Sequence, residues 1–361
     1  VGEVEQNELL AVIEQAGKDE SPELDLANQG IDHLPPEIGN LSHLSKLHLV
    51  DNSLTTLPVE IGNLRNLTGL HLSANDGLTV LPREIFSLTS LRDLSLPGYD
   101  TAVPPEISNL TNLEELQIGP GPLKTLPPEI GNLPNLSALN VWATLLEKLP
   151  PEIGNLSNLK RLGLWNISFT PVDALPSEIG RLRNLTSLFI CGHKLTHLPP
   201  EIGDLCNLTE LSLIGSGPAA LPAEIGRLKK LEKLHIAGWN FTVLPPEIGE
   251  LTNLKKLILI NTPVRELPAE IGNLTELEEL RIHSLPLETL PAEIGDLTNL
   301  KELNIAGVPL KTLPAEICKL SRLTKLTIRK ADHQRLRTYI KQLPNLETLD
   351  FWPDPVRPRE G

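Results

Sequence analysis

The pentapeptide Leu-Pro-x-Glu-Ile recurs along almost the entire chain and constrains its fold more than any other feature. Successive copies are 23, 24, 22, 23, 23 and 26 residues apart, and every later step is 23 residues. A repeat of this length is the signature of a solenoid, in which each unit buries its apolar face only against its neighbours. We therefore expect one stacked array rather than several globular domains. The thirteen copies begin at Leu34, Leu57, Leu81, Val103, Leu126, Leu149, Leu175, Leu198, Leu221, Leu244, Leu267, Leu290 and Leu313.

A second pattern, Leu-x-x-Leu-x-Leu, recurs in each unit and predicts a short strand. Apolar residues that alternate with other residues are typical of a strand with one buried face. The Leu-Pro that follows the strand and a loop predicts a brief helical turn. Proline is favoured in a first helical turn, and the neighbouring glutamate complements the positive helix end.

Together these residues resemble the leucine-rich repeat family, in the 23-residue form LxxLxLxxxxLxxLPPEIGNLxN. The resemblance covers residues 21–351. It extends to the repeats of bacterial multidomain proteins, including Roco-type GTPases and type III effectors, and to plant intracellular Ras-group repeat proteins. It implies an α/β repeat fold: a leucine-rich-repeat solenoid (horseshoe) with a parallel β-sheet on its concave face and short 3₁₀ or α turns on its convex face. A helical cap is expected at the N-terminus.

One departure from the family pattern is plain. The family usually places an asparagine three residues after the last strand leucine, where its amide bonds to backbone groups. Only Asn52 and Asn75 occupy that position here, and later repeats carry other residues. Buried backbone groups must be paired, so we expect water or a different turn geometry to satisfy them after residue 96.

The expected organisation has three parts. Residues 1–20 are predicted to form an N-terminal capping helix, residues 21–331 the leucine-rich repeats, and residues 332–361 a C-terminal cap and tail. Caps are expected because the open ends of a solenoid expose its core.

The residues that flank the last two strand leucines point away from the core, so they are the candidate partner-binding surface. Trp142, Trp165 and Phe189 fall on three successive strands of that face, with Ile214 on the next. Exposed aromatic clusters are typical interface anchors. The alternative is that the irregular loop at Ser168–Ala174 covers them as local core. The predicted partner-binding residues are His48, His71, Gln117, Asn140, Trp142, Trp165, Phe189, Ile214 and Arg281.

The same face carries residues that could take part in metal binding. Asp25, His48 and His71 are possible metal ligands on adjacent strands, but they lack a fourth ligand, so a solvated polar surface is the favoured interpretation. We find no Gly-rich phosphate loop and no nucleophile–His–acid set in an enforced geometry. We therefore predict no enzyme activity, cofactor or metal. The Asn-x-Ser/Thr matches, such as the one at Asn66, are interpreted as part of the repeat scaffold rather than as glycosylation sites.

The sequence thus predicts a non-catalytic protein-recognition module that binds a protein or peptide partner on its concave face. The alternative is a substrate- or ligand-sensing arm of a larger enzyme or signalling protein, such as a GTPase, a kinase or a ubiquitin ligase effector. A structural or adhesive surface protein is a third possibility.

The net charge of −14 does not by itself restrict the partners. Thirteen glutamates occupy the same repeat position, and without them the charge is −14 + 13 = −1. Residues 1–32 carry −8 and residues 318–341 carry +7, which is typical either of soluble caps or of a docking patch. We predict no nucleic acid partner and no membrane span, favour a monomer, and expect a cytoplasmic location, with delivery into a host cell or the cell surface as alternatives.

Overall fold

The computed structural model describes residues 6–98, 103–143, 145–165 and 174–352. The chain divides into two compact units: residues 1–185 with 191–193, and residues 186–190 with 194–361. Each unit is a stack of one repeated structure, a strand followed by a loop and a 3₁₀ turn. The predicted solenoid fold class is therefore confirmed.

The first unit begins with helix α1, Gln6–Asp19, whose Leu9, Ile13 and Ala16 are buried along one side. Its strands pair in parallel and in chain order. They are β1 Glu23–Asp25, β2 Lys46–His48, β3 Gly69–His71, β4 Asp93–Leu96, β5 Glu115–Gly121, β6 Ala138–Ala143 and β7 Arg161–Trp165. Its 3₁₀ turns are Pro36–Asn40, Val59–Asn63, Arg83–Ser87, Pro105–Asn109, Pro128–Asn132, Pro151–Asn155 and Ser177–Arg181.

The second unit contains most of β8, Ser187–Lys194, and all later strands, again parallel and in chain order from β9 onward. These are β9 Glu210–Ser216, β10 Lys233–Ala237, β11 Lys256–Ile260, β12 Glu279–His283, β13 Glu302–Asn304, β14 Lys325–Arg329 and β15 Thr348–Trp352. Its 3₁₀ turns are Pro200–Asp204, Ala223–Arg227, Pro246–Glu250, Ala269–Asn273, Ala292–Asp296, Ala315–Lys319 and Lys330–Asp332. Helix α2 spans His333–Ile340.

The thirteen copies of Leu-Pro-x-Glu-Ile each form a five-residue 3₁₀ turn, as predicted. In the first, Pro35 has a φ of −71° and stands directly before the turn, and Glu37 lies in the first turn. Ile38 is fully buried, and its carbonyl accepts a hydrogen bond from the Leu41 N–H at 3.1 Å. Burying such a side chain contributes about 1.5–3 kcal/mol. Proline therefore fixes the backbone conformation that leads into the turn, and isoleucine anchors the turn to the core.

The glycine that follows this isoleucine allows adjacent turns to approach closely. A Cβ added to Gly39 would lie 2.6 Å from the carbonyl oxygen of Glu60 in the next repeat. No real side chain has a contact this short. Glycine is therefore part of the packing template between repeats.

Asn52 and Asn75 form the backbone ladder that the family pattern implies. The Asn52 amide donates to the carbonyls of Leu26 and Leu49, at 2.8 and 3.0 Å, and its carbonyl oxygen accepts from two backbone N–H groups of the preceding repeat. Asn75 donates in the same way to Leu49 and Leu72. Both side chains are buried, so their amide groups satisfy backbone groups that water cannot reach.

Beyond the asparagine ladder, two kinds of replacement occur at the described equivalent positions. Several strands lengthen, so that Gly121 continues β5 and pairs with Ala143 of β6. Elsewhere the position is apolar and packs inward: Trp239 is 2% exposed and contacts Phe241 edge-on. The expected change of geometry is thus partly strand extension and partly apolar packing.

A second asparagine ladder, on the side of the 3₁₀ turns, links successive repeats. The Asn66 amide donates to the Ser42 carbonyl at 2.9 Å, and Asn299 donates to Thr275 in the same way. Asn66 is the asparagine of one Asn-x-Ser/Thr match, so the scaffold itself uses the amide group at that match.

Candidate protein-binding surface

The strand registers place the predicted outward-facing residues side by side. In the first unit one row contains Asp25, His48, His71, Ser95, Gln117, Asn140 and Gly163. In the second unit the same row contains Ser212, His235, Ile258, Arg281, Asn304, Thr327 and Asp350. The predicted alignment is confirmed within each unit. We call the side of the sheet that carries these rows the exposed sheet face.

Trp142 and Trp165 are the most distinctive pair of this face in the first unit. They are direct partners on β6 and β7, and their rings stack with centroids 4.9 Å apart and planes inclined by 11°. Both side chains are only half-buried, unlike the core residue Trp239. The loop that could cover them, residues 166–173, lies outside the described residues. The pair therefore offers a partly exposed aromatic surface.

Small and polar neighbours determine how the indoles lie. A Cβ added to Gly163 would meet the Asn140 Oδ1 at 2.4 Å and the Trp165 Nε1 at 2.7 Å. The indole thus occupies the space above the β7 backbone that any other residue would fill. Gln117 is exposed one strand before Asn140. Hydrogen-bonding groups therefore border the aromatic pair.

His48 and His71 also stack, with centroids 4.7 Å apart and planes inclined by 13°. Each ring has a carboxylate partner: His48 Nε2 lies 2.8 Å from Glu23, and His71 Nε2 lies 3.6 Å from Asp93. Burial lowers the pKa of His71, and the Asp93 carboxylate opposes that shift. Burial in turn raises the pKa of Asp93. The two imidazoles are thus held in fixed orientations by acids of adjacent strands.

Within the part of the chain that the structure describes, no group of three or more His, Cys, Asp or Glu side chains could hold a metal ion. Asp25, the third member of the predicted line, caps the backbone N–H of Ala27 at 3.0 Å. The polar line is therefore best described as a hydrogen-bonding surface.

Phe189 and Ile214 belong to the second unit and are both half-buried. Phe189 borders an open depression of about 190 Å³ whose floor includes Ser212, His235 and Ile258. Lys233 and Lys256 line its edge and are paired with Glu210 and Glu279 respectively. The second unit therefore has an apolar depression framed by neutralised charges.

His235 and Ile258 were not among the predicted binding residues. His235 Nδ1 lies 3.5 Å from the Ser212 hydroxyl, and burial lowers the pKa of the ring. Its Nε2 is buried and has no hydrogen-bond partner among the described residues. The signal that could have identified the site is the run of apolar residues in outward positions, Ile258 and Ile260 among them.

Arg281, the last predicted binding residue, is exposed, and its guanidinium group lies near two carboxylates. It pairs with Glu279 on its own strand and lies 4.0 Å from Glu302 on the next. It also lines a shallow depression with Asn304 and Trp352. The ion pairs hold the guanidinium over the sheet.

Comparison with known proteins assigns the family. A family profile described as "Leucine-rich repeat region" matches residues 23–125 and 201–286, which is more than half of the chain. The chain belongs to the leucine-rich repeat family. No curated protein matches this leucine-rich repeat chain.

Solved structures support the same assignment. A leucine-rich repeat protein of Leptospira interrogans is 34% identical, with a TM-score of 0.82, over 94% of this chain and 86% of that one. An internalin of Listeria monocytogenes shares the fold at 18% identity and a TM-score of 0.66, covering 96% and 94% of the two chains. A TDR receptor does so at 23% identity and a TM-score of 0.72, covering 96% and 66%. The resemblance to bacterial repeat proteins is therefore confirmed.

The leucine-rich repeat fold is typical of protein-interaction modules that have no catalytic activity of their own. Among the described helices, neither is long and apolar enough to cross a membrane.

Proposed function

We propose that this leucine-rich repeat chain binds a protein or peptide partner on its exposed sheet face, with Trp142 and Trp165 as anchors. The single observation that carries the proposal is the stacked, half-buried indole pair. The repeat template does not need tryptophan at these positions, because equivalent positions on other strands hold Ala237 or Ile260. Aromatic anchors bordered by polar groups are typical of binding hot spots.

The neighbouring residues suggest the chemistry of the partner. The flat indole pair favours an apolar or aromatic side chain, and Gln117 and Asn140 offer amide groups to a peptide backbone. Phe189 and Ile214 are the corresponding anchors of the second unit, beside the depression that contains His235. His48, His71 and Arg281 supply polar contacts. We therefore expect an extended peptide or loop with spaced apolar side chains.

The test is a selection of peptides from a displayed random library on the immobilised wild-type chain, followed by affinity measurements. Trp142→Ala and Trp165→Ala should each weaken the selected peptides by about 2 kcal/mol, or about 30-fold. Val59→Ala is the control, since it removes an exposed apolar side chain from a 3₁₀ turn rather than from the exposed sheet face.

Thermal melting of each variant separates binding from packing. Unchanged affinity in a folded Trp142→Ala/Trp165→Ala double variant would contradict the proposal. A lower melting temperature without any loss of affinity would instead identify the indoles as local core.

A further inference from the structure

The two ends of the chain carry opposite charges that have no partners within the described residues. At the N-terminal end Glu8, Glu14 and Glu20 form no ion pair, and α1 carries a single base, Lys18. At the C-terminal end the cations Lys330, Arg337 and Lys341 form no ion pair among the described residues, and neither does the acid Glu347. What distinguishes the two caps is the clustering of one sign of charge: residues 1–32 carry −8 and residues 318–341 carry +7.

The C-terminal end also leaves core positions uncovered. Leu323, Leu326 and Ile328 of the preceding repeat are at most 1% exposed. Their counterparts in the last repeat are Leu346 and Leu349, which are half-buried, and Phe351, which is 44% exposed. The last described repeat therefore presents a partly exposed apolar surface.

Helix α2 borders this apolar surface. The ring of His333, its first residue, meets the ring of Phe351 edge-on, with centroids 5.1 Å apart. Leu336 and Ile340 are buried, while Arg337 and the residue after the helix, Lys341, are exposed to solvent one turn apart. The uncovered core residues thus lie beside a cationic helix face.

Helix α1 has the complementary arrangement. Its inner side is already buried, and its outer side exposes Val12, which is 44% accessible, next to Ala11. Glu8 lies one turn before Val12, and Glu14 lies one turn after Ala11. A small apolar strip is therefore bordered by acids.

We infer that the α1 cap of one copy of this chain docks on the C-terminal cap of a second copy. Val12 and Ala11 cover the exposed Phe351, Leu349 and Leu346, and Glu8, Glu14 and Glu20 meet Lys330, Arg337 and Lys341. Such a contact joins unlike surfaces, so it produces rings or open chains rather than a symmetric pair. The sequence alone favours a monomer; the partly exposed apolar residues Leu346, Leu349 and Phe351 favour self-association.

Sedimentation of the full chain tests the inference. The wild-type chain should exceed the monomer mass at low salt and approach it at high salt, since the screening length falls from about 10 Å at 0.1 M to about 3 Å at 1 M. Reversing one cap, as Lys330→Glu/Arg337→Glu/Lys341→Glu or as Glu8→Lys/Glu14→Lys/Glu20→Lys, should give a monomer. A chain with all six reversals should associate again, and so should a mixture of the two triple variants.

A matched control changes the same charge outside the caps. Arg65→Glu/Lys124→Glu/Lys148→Glu alters three exposed cations and should leave the association intact. Circular dichroism melting verifies that every variant is folded. A wild-type chain that remains monomeric at low salt and high concentration would overturn the inference. So would a control variant that dissociates as fully as the cap variants, or six reversals that fail to restore association.

Discussion

The indole of Trp142 lies parallel to that of Trp165, with 4.9 Å between ring centroids on adjacent strands. Stacking of this kind adds about 0.5–1.5 kcal/mol beyond the burial of area. Both rings remain partly exposed, and the stacking contact orders them before any partner arrives. A partner that contacts it therefore has little side-chain entropy to remove.

Gly163→Ala should disturb this pair without a change at either tryptophan. The new Cβ would meet Trp165 Nε1 at 2.7 Å, so the indole must move away from the sheet. We expect peptide affinity to fall about tenfold, or about 1.4 kcal/mol, with a change in the near-UV circular dichroism of tryptophan. Gly69→Ala on β3 is the control, because its Cβ would meet nothing closer than 3.3 Å. Equal effects of the two variants would contradict the role of Gly163.

The repeat itself was predictable from sequence, because thirteen copies of one template average out local ambiguity. Each Leu-Pro-x-Glu-Ile became a 3₁₀ turn, and the strand register followed from the alternation of leucines. The outward position of Trp142 and Trp165 was predictable for the same reason. A one-residue shift would have turned every leucine to solvent.

Side-chain arrangement across repeats was not predictable. The spacing of the repeats does not indicate that His48 pairs with Glu23 or that His71 pairs with Asp93. Such pairs depend on the rotamers of residues more than twenty positions apart in the sequence. Trp239, which is buried at a position equivalent to the ladder asparagines, also depends on Gly217, because the absence of a side chain there leaves room for the indole. A Cβ there would lie 2.1 Å from the indole.

Asn52→Ala should be more destabilising than its exposed counterpart Asn66→Ala. The first change leaves the buried N–H of Ile31 and the carbonyl of Leu26 without partners, at a cost of about 2 kcal/mol or more. The second removes one exposed bond to Ser42, which contributes about 0.5–1.5 kcal/mol. Urea denaturation of the two variants measures the difference. Equal urea midpoints would show that the buried ladder contributes no more than the exposed one.

Trp239→Ala should lower the stability of the chain strongly, because it opens a cavity in a packed region. The indole is 2% exposed and meets Phe241 edge-on at 6.4 Å. Removing a buried aromatic side chain typically costs about 3–5 kcal/mol. Trp352→Ala removes an indole that is 47% exposed and should cost about 1 kcal/mol or less. Calorimetry of both variants tests this order, and similar melting temperatures would refute it.

His235→Gln should make stability less dependent on pH. Burial lowers the pKa of His235 in the folded chain, so just below the ordinary value of about 6.5 the unfolded chain binds the proton more readily. The wild type is therefore expected to lose stability as the pH falls from about 7 to about 5, whereas the glutamine variant lacks this contribution. The measurement is the difference in unfolding free energy between the two chains across that range. This difference should be constant above about pH 7, and below it the wild type should become less stable relative to the variant. A difference that stays constant over the whole range would show that His235 binds a proton as readily in the folded chain as in the unfolded chain.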